Sequence, residues 1–400
     1  MSILRSSTAR STVARLLSGA TALVLIIVVA RISLAMVLVS SDPITALKLN
    51  PALPAALASQ AYDDISSSPS RAGTERAILA TRAALNRDPM SATAAANLGL
   101  ALDIKGDRTT AIKLIDYSEA LSRRNLVTQL WLIEYWVSKG DVPRTLFHYD
   151  VAMRTSRAAP GLLFPVLVSA TNDAALIAPL AQVLAKQPEW SSQFIQQLVQ
   201  SGVNLPNIAQ LFVDLKRSGK PAADRALATL IDRLIAVESY DAASRLYLTY
   251  RPSVTSLGIR DGEFVLARPE PTAFDWNFPE AEGLSADIRD GALHVDAAPA
   301  TGGVVARQLV RLLPGAHLIR GQSMGFTEVG ENAPYLTLKC VGSGLEAGRV
   351  MLESSDKPQR IDWSFAVPTG CTAQLLEVVL QPVDAAGGVS GQIDRLILAR

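Results

Sequence analysis

The chain has 400 residues, too many for one ordinary core and suited to two or three folded units. Hydrophobic residues make up 49% and charged ones 19%, which excludes a disordered polyampholyte. A net charge of +1 excludes the electrostatic footprint of a nucleic-acid binder, and two cysteines with three histidines leave little for a zinc site.

Residues 1–15 hold Arg5, Arg10 and Arg15 and no acidic residue. An apolar run covers 16–30, breaks at Arg31 and resumes to 40. Read across Arg31, residues 16–39 reach about 36 Å as a helix, enough for a ~30 Å hydrocarbon core with tilt. One Arg inside a span costs roughly 2.5–3.5 kcal/mol, which a run this apolar absorbs. Residues 1–40 therefore read as a cytoplasmic tip and single-pass anchor. The competing reading is a cleaved signal peptide, with Ser33 and Ala35 at the cut. Positive-inside reasoning puts the tip in the cytoplasm and the bulk of the chain outside it. Arg outnumbers Lys 29 to 9, a bias of GC-rich bacterial genomes; "outside" is then the periplasm and the membrane the inner one.

From Pro51 to about Pro252 the chain reads as consecutive amphipathic helices, placing a helical repeat domain at 42–250. Lys105-Gly106-Asp107 recurs as Lys139-Gly140-Asp141, an offset of 34 residues. At that offset Leu98 meets Leu132, Leu102 meets Trp136, and Ile115 meets Tyr149. Leu98, Gly99, Leu102, Ala111 and Ile115 fall where a tetratricopeptide helix pair puts its packing residues. The small ones let two helices approach, and each Gly-Asp turn ends one helix and places an acid in the first turn of the next. Shifting back again gives a degenerate unit at 51–88, where Ala77 and Ala84 fit but Ser68 replaces a large residue. Segments 173–186, 190–200, 205–218 and 221–237 stay helical without a clean repeat. A diverged continuation of the solenoid to Tyr250 is the simplest reading.

After Arg251 the pattern changes to short alternating runs between Gly, Pro and Asp. Strands are predicted at 273–278, 292–297, 303–313, 316–321, 335–341, 361–368, 373–383 and 392–399, a β-sandwich of the jelly-roll type at 263–400. Residues 251–400 hold 13 basic and 18 acidic side chains, a net −5, while 1–250 nets +6. Cys340 and Cys371 form a disulfide candidate outside the cytoplasm, the other reading being two buried thiols.

Catalytic chemistry finds little support. Gly342-Ser343-Gly344 with Gly348 has the wrong spacing for a dinucleotide loop and reads as a hairpin. Asp63 and Asp64, adjacent on a helix, diverge by about 100° and read as a solvated face. His148, His294 and His317 are scattered, and no nucleophile–base pair can be assembled from spacing. The expectation is a non-enzymatic protein with no cofactor and no metal site. Trp276 and Trp363 are the candidates for stacking on a sugar ring, against the commoner role of core filler. Trp131 and Trp136 read as interior.

Several features occur together: a single N-terminal span, Asp42-Pro43, Asn50-Pro51, the segments TQLWLIEYWVSKGD and HYDVAMRTS, an Arg-Gln-Leu segment with Leu-Pro-Gly at 307–315, and the paired cysteines. This order resembles the membrane-anchored tetratricopeptide proteins encoded beside exopolysaccharide genes in alphaproteobacteria, sphingomonads especially. The resemblance spans nearly the whole chain and carries no catalytic residues over. It implies a cell-envelope scaffold whose solenoid grips protein partners of polysaccharide assembly or export, with a carbohydrate-binding-module-like sandwich at the end. The alternative makes the sandwich the glycan-recognising part and the solenoid a spacer.

Overall fold

A computed structural model describes residues 4–66, 70–265, 270–326, 332–353 and 355–399, with side chains described from residue 17 onward. Arg5, Arg10 and Arg15 as side chains, and Ser68, lie outside what it describes. The chain divides into two compact units, Met1–Leu163 and Phe164–Arg400.

The first unit opens with α1 (Leu4–Leu38), whose stretch Leu17–Leu38 is long and apolar enough to cross a membrane. α2 (Pro43–Leu49) starts where the Asp42 side chain accepts from the Thr45 N–H at 3.0 Å. It folds back on the end of α1, burying Ala35 against Ala46, Leu53 and Ala56. Sequence reasoning treated Arg31 only as a cost. Its guanidinium donates from Nη2 to the Leu49 carbonyl at 2.8 Å, an acceptor at the C-terminal, negative end of α2.

Three helical hairpins follow: α3 (Pro54–Ser66) with α4 (Arg71–Arg87), α5 (Ala92–Lys105) with α6 (Arg108–Leu121), and α7 (Leu126–Ser138) with α8 (Val142–Thr155). Each packs on the next through α4 on α5 and α6 on α7. The 34-residue period has the expected physical basis. Leu98, Leu102, Ala111, Ile115 and Leu132 fuse into one core with Ala77 and Ile78, and Tyr149 is buried. Gly99 is needed because a Cβ there would stand 3.0 Å from Ile115 Cγ1. Gly106 closes α5 at φ +96°, a left-handed conformation that glycine adopts without strain. Asp107 and Asp141 stand one place earlier than expected, at the N-cap itself, accepting from the Thr110 and Arg144 N–H groups. Trp136 differs from its reading as interior: it packs on the edge of the core and stays partly exposed.

α9 (Ala159–Ala170) carries Pro165 and crosses the division between the units. The second unit continues with α10 (Ala174–Leu184), α11 (Ser191–Ser201), α12 (Leu205–Arg217), α13 (Asp224–Ala236) and α14 (Tyr240–Tyr250). Packing here joins alternate helices, α10 with α12, α12 with α14 and α11 with α13, as well as the successive pair α13 and α14. The 34-residue period is carried by the Gly-Asp turns at 106–107 and 140–141, and it fades in this region, where no such turn recurs.

Among the described residues, nine strands build the sandwich: β1 (Leu284–Arg289), β2 (Ala292–Ala297), β3 (Gly303–Val310), β4 (Gly315–Met324), β5 (Tyr335–Cys340), β6 (Glu346–Met351), β7 (Gln359–Val367), β8 (Gln374–Leu380) and β9 (Val389–Ala399). They form two antiparallel sheets, ordered β1-β2-β9-β4-β7 and β3-β8-β5-β6. β2 to β9 make the jelly roll, and β1 extends one edge. The core between the sheets holds Leu293, Val295, Ile319, Leu336, Leu376 and Ile393, all fully buried. Two strands escaped the sequence reading, β1 and β6. Both lie at sheet edges, where half-exposed residues and charges dilute the alternation. Residues 273–278, read as a strand, instead make a turn with one bridge, Asn277 to Arg307. Phe274 and Trp276 are buried as anchors rather than in a ladder.

Candidate functional site

Three rings gather on α7, the buried Trp131 and the partly exposed Tyr135 and Trp136. Trp131 and Tyr135 stack at 5.2 Å between centroids, four residues apart on one helix face, and Tyr135 meets Trp136 edge-on at 4.9 Å. Trp131 is anchored from inside, donating from Nε1 to Asp103 Oδ2 at 2.9 Å. Cations cover the outer side: Arg108 lies 5.7 Å from the Trp131 and Tyr135 centroids, Lys139 5.6 Å from Tyr135, and Arg144 4.2 Å from Trp136. Ile104 and Val137 stand exposed on α5 and α7, the former 50% and the latter 60% accessible. The result is an aromatic–cationic cluster, chemistry suited to holding a partner surface. A scan by sequence spacing misses it because the cations come from α6 and α8 as well as from the end of α7.

Behind this face His148 is buried in α8. Its Nδ1–H donates to Gln129 Oε1 at 2.9 Å, with Glu119 Oε1 3.8 Å away. Burial, assisted by the Arg123 charge, lowers its pKa from 6.5 to about 4. The ring is neutral in the folded chain at pH 7. Between pH 6.5 and about 4 the unfolded chain takes up a proton that the folded one refuses, so stability falls with pH through that window and is fully present above it. The gap corresponds to at most about 3 kcal/mol. Urea unfolding between pH 7.5 and 4 should show this slope, and His148→Gln should flatten it; an equal slope in the variant would assign the titration elsewhere.

The sandwich presents a different picture. Trp276 and Trp363, the sugar-stacking candidates, are 5% and 3% exposed and belong to the core between the sheets. A sugar ring needs an open aromatic face, and both are spent: Trp276 packs on Phe264 at 5.6 Å and Trp363 on Phe365 at 4.8 Å. Trp363 points inward because Ile361, Trp363 and Phe365 are the buried half of the alternation in β7. Tyr335, on the outer side of β5, is capped by the Arg349 guanidinium at 4.2 Å from its centroid. On the outer side of the five-stranded sheet, Arg320 and Arg360 both pair with Asp362, and Gln392 donates to Asp394.

The other side of the sandwich is joined to the helices. Asp275, buried in the 272–277 turn, accepts from the Tyr247 hydroxyl of α14 at 2.7 Å and from the Thr272 N–H and hydroxyl at 3.1 and 2.9 Å. Arg260 Nε donates to the Tyr247 oxygen at 3.3 Å, and Gln308 of β3 bonds both the N–H and the carbonyl of Arg260. Burial first, then the neighbouring Asp275 carboxylate, pushes the Tyr247 phenol up to about 12, so it remains a donor. Arg311, following β3, reaches Asp241 and Ser244 of α14 at 2.8 and 3.0 Å. Cys340 and Cys371 are bonded, tying the end of β5 to the loop before β8 with Cα atoms 5.4 Å apart.

Among the described residues no cluster of three or more His, Cys, Asp and Glu side chains is placed to hold a metal ion. No protein-family model matches the chain, and no curated protein matches it. Solved structures similar to parts of it include a CBM4 structure (12% identity, TM-score 0.29, covering 36% of this chain and 99% of that one). Another is the carbohydrate-binding module CBM6cm-2 from Cellvibrio mixtus lichenase 5A, in complex with cellotriose (12% identity, TM-score 0.21, covering 31% of this chain and 91% of that one). A third is Pseudomonas aeruginosa pilF (17% identity, TM-score 0.25, covering 50% of this chain and 91% of that one). All three scores are low, and the architecture stands on the chain's own helix pairing and strand order.

Proposed function

We propose that the chain is a non-catalytic scaffold of the bacterial envelope, tethered by Leu17–Leu38 to the inner membrane with its bulk in the periplasm. Its helical region docks protein partners of polysaccharide assembly or export. The observation that supports this reading most directly is the aromatic–cationic cluster on α7, on a helical region that also exposes Ile104 and Val137. Trp, Tyr and Arg side chains are the ones enriched in protein-binding hot spots. The junction of Tyr247, Asp275 and Arg260 adds a sandwich fixed to its helices, as a scaffold with two surfaces needs. Recognition of glycan by the sandwich would have to proceed without its tryptophans, through polar groups on the outer sheet. That makes it the weaker of the two readings.

The test is photo-crosslinking in cells that secrete polysaccharide, with a photoreactive amino acid at Ile104 or Val137, read beside polymer yield in a strain lacking the gene. Crosslinks to polysaccharide-assembly proteins together with reduced polymer support the reading. Unchanged polymer yield and no such crosslink would sink it.

A further inference from the structure

In the second unit a groove runs between α11 and α13 around a cavity of about 300 Å³. Its floor is apolar, made by Leu184, Ile195, Val199 and Leu215. Its rim carries Gln196 and Gln200 of α11, Lys220 of the loop before α13 and Arg225 of the first turn of α13. No carboxylate lines it. Among the described residues, these two amides and two cations have no hydrogen-bond or ion-pair partner for their side chains. Other basic side chains of this unit are engaged, among them Arg251 with Asp224, Arg311 with Asp241, and Arg233 with the Val199 and Gly202 carbonyls.

We infer that this groove binds an extended peptide segment of a partner protein, one that alternates acidic and aliphatic side chains. Gln196 and Gln200 are four residues apart on one helix face, about 6 Å along its axis. An extended chain advances about 6.7 Å for every two residues, so successive peptide groups on one edge come into register with the two amides. Each Gln side chain offers an N–H and a C=O, the complement of a peptide unit. Alternate side chains of such a segment point the same way, one set into the apolar floor and the other toward the rim. Two cations without a side-chain partner, in a groove whose lining holds no carboxylate, select carboxylates at the rim. An acidic glycan would share the charge but lacks alternating aliphatic groups, and no aromatic ring lines the groove to stack on a sugar. The inference rests on the docking reading above and gives it a second site and a class of partner.

The experiment uses the full chain in detergent micelles and fluorescence anisotropy with a labelled hexapeptide of alternating Leu and Glu. A Leu/Lys hexapeptide and tri-galacturonate serve as comparison probes. The expected result is binding of the Leu/Glu peptide alone, weakened by added salt and reduced about ten-fold by Lys220→Glu with Arg225→Glu. Gln196→Ala with Gln200→Ala should reduce it several-fold with the unfolding midpoint unchanged. Absence of peptide binding, equal binding to the charge-reversed protein, or tighter binding of tri-galacturonate would each overturn the inference. Such a failure is separable from failure of the docking reading, which is decided by crosslinks at Ile104 and Val137 and by polymer yield.

Discussion

Asp275→Ala is expected to destabilise the second unit by about 3–5 kcal/mol, seen as a lower urea midpoint by circular dichroism and tryptophan fluorescence. The carboxylate is 7% exposed and is the acceptor for three donors, the Tyr247 hydroxyl and the N–H and hydroxyl of Thr272. Alanine leaves all three buried and unmet, which costs more than the net worth of the bonds. Tyr247→Phe removes a single donor and should cost only about 1–2 kcal/mol. The form of the transition is as informative as its midpoint. With the junction intact, α14 and the sandwich should unfold together; in Asp275→Ala the near-ultraviolet and far-ultraviolet signals should separate into two steps. A single unshifted transition in the variant would mean that the contact contributes nothing to the coupling.

That junction also explains why the sandwich is a poor candidate for excision as a free module. Residues on the outer side of its four-stranded sheet, Leu309, Glu377 and Val379, are nearly buried although they point away from the inter-sheet core. Lys339 meets Glu377 there at 2.9 Å, and the Leu309 N–H donates to the Ala273 carbonyl of the anchoring turn. A fragment starting at residue 263 would lose Tyr247, Arg260, Asp241 and Ser244 from this side in one cut. A binding assay on such a fragment would mix loss of fold with loss of ligand.

What the sequence made legible and what it hid follow from the range of the interactions. Helix starts are written in single residues, because Asp42, Ser91, Asp107, Asn125 and Asp141 each cap the helix that follows within three residues. The hairpin packing is legible because it repeats, so Leu98 and Ile115 could be placed from Leu132 and Tyr149. Strand periodicity is legible where one face is fully buried, as in β7, and fades at the edges in β1 and β6. The two tryptophans were visible as alternating positions, but alternation gives a side and not which side is wet. Trp276 was hidden doubly, since its segment is a turn held by Asp275 and not a strand. The contacts that matter most to architecture join residues far apart with no local pattern. Arg31 finds Leu49, Tyr247 finds Asp275, and Arg311 finds Asp241.

Removing the Cys340–Cys371 bond should cost the folded chain about 3–4 kcal/mol in the chain-entropy account, given the length of the loop it closes. The separation is 31 residues, and the loop contains all of β6 and β7. Freed of the link, the unfolded chain regains that loop's freedom while the folded chain loses a tie between the end of β5 and the entry to β8. A local consequence follows from the hydrogen bonds around Cys371. Gln374 Nε2 donates to the Cys371 carbonyl at 2.7 Å, and Gln374 Oε1 accepts from the Leu312 N–H at 2.8 Å. Loosening Cys371 therefore loosens the hold on Leu312 and on its neighbour Arg311, whose guanidinium also donates to the Thr372 carbonyl. Urea unfolding in dithiothreitol should lower the midpoint of the wild type to that of Cys340→Ser with Cys371→Ser, and leave the double variant unmoved. The same pair reports the compartment. Alkylation of intact cells followed by mass measurement should find both thiols blocked by the bond if the sandwich folds outside the cytoplasm, where such bonds persist. Two alkylated thiols in protein taken from the envelope would contradict the periplasmic placement and remove the bond from the stability of the working protein.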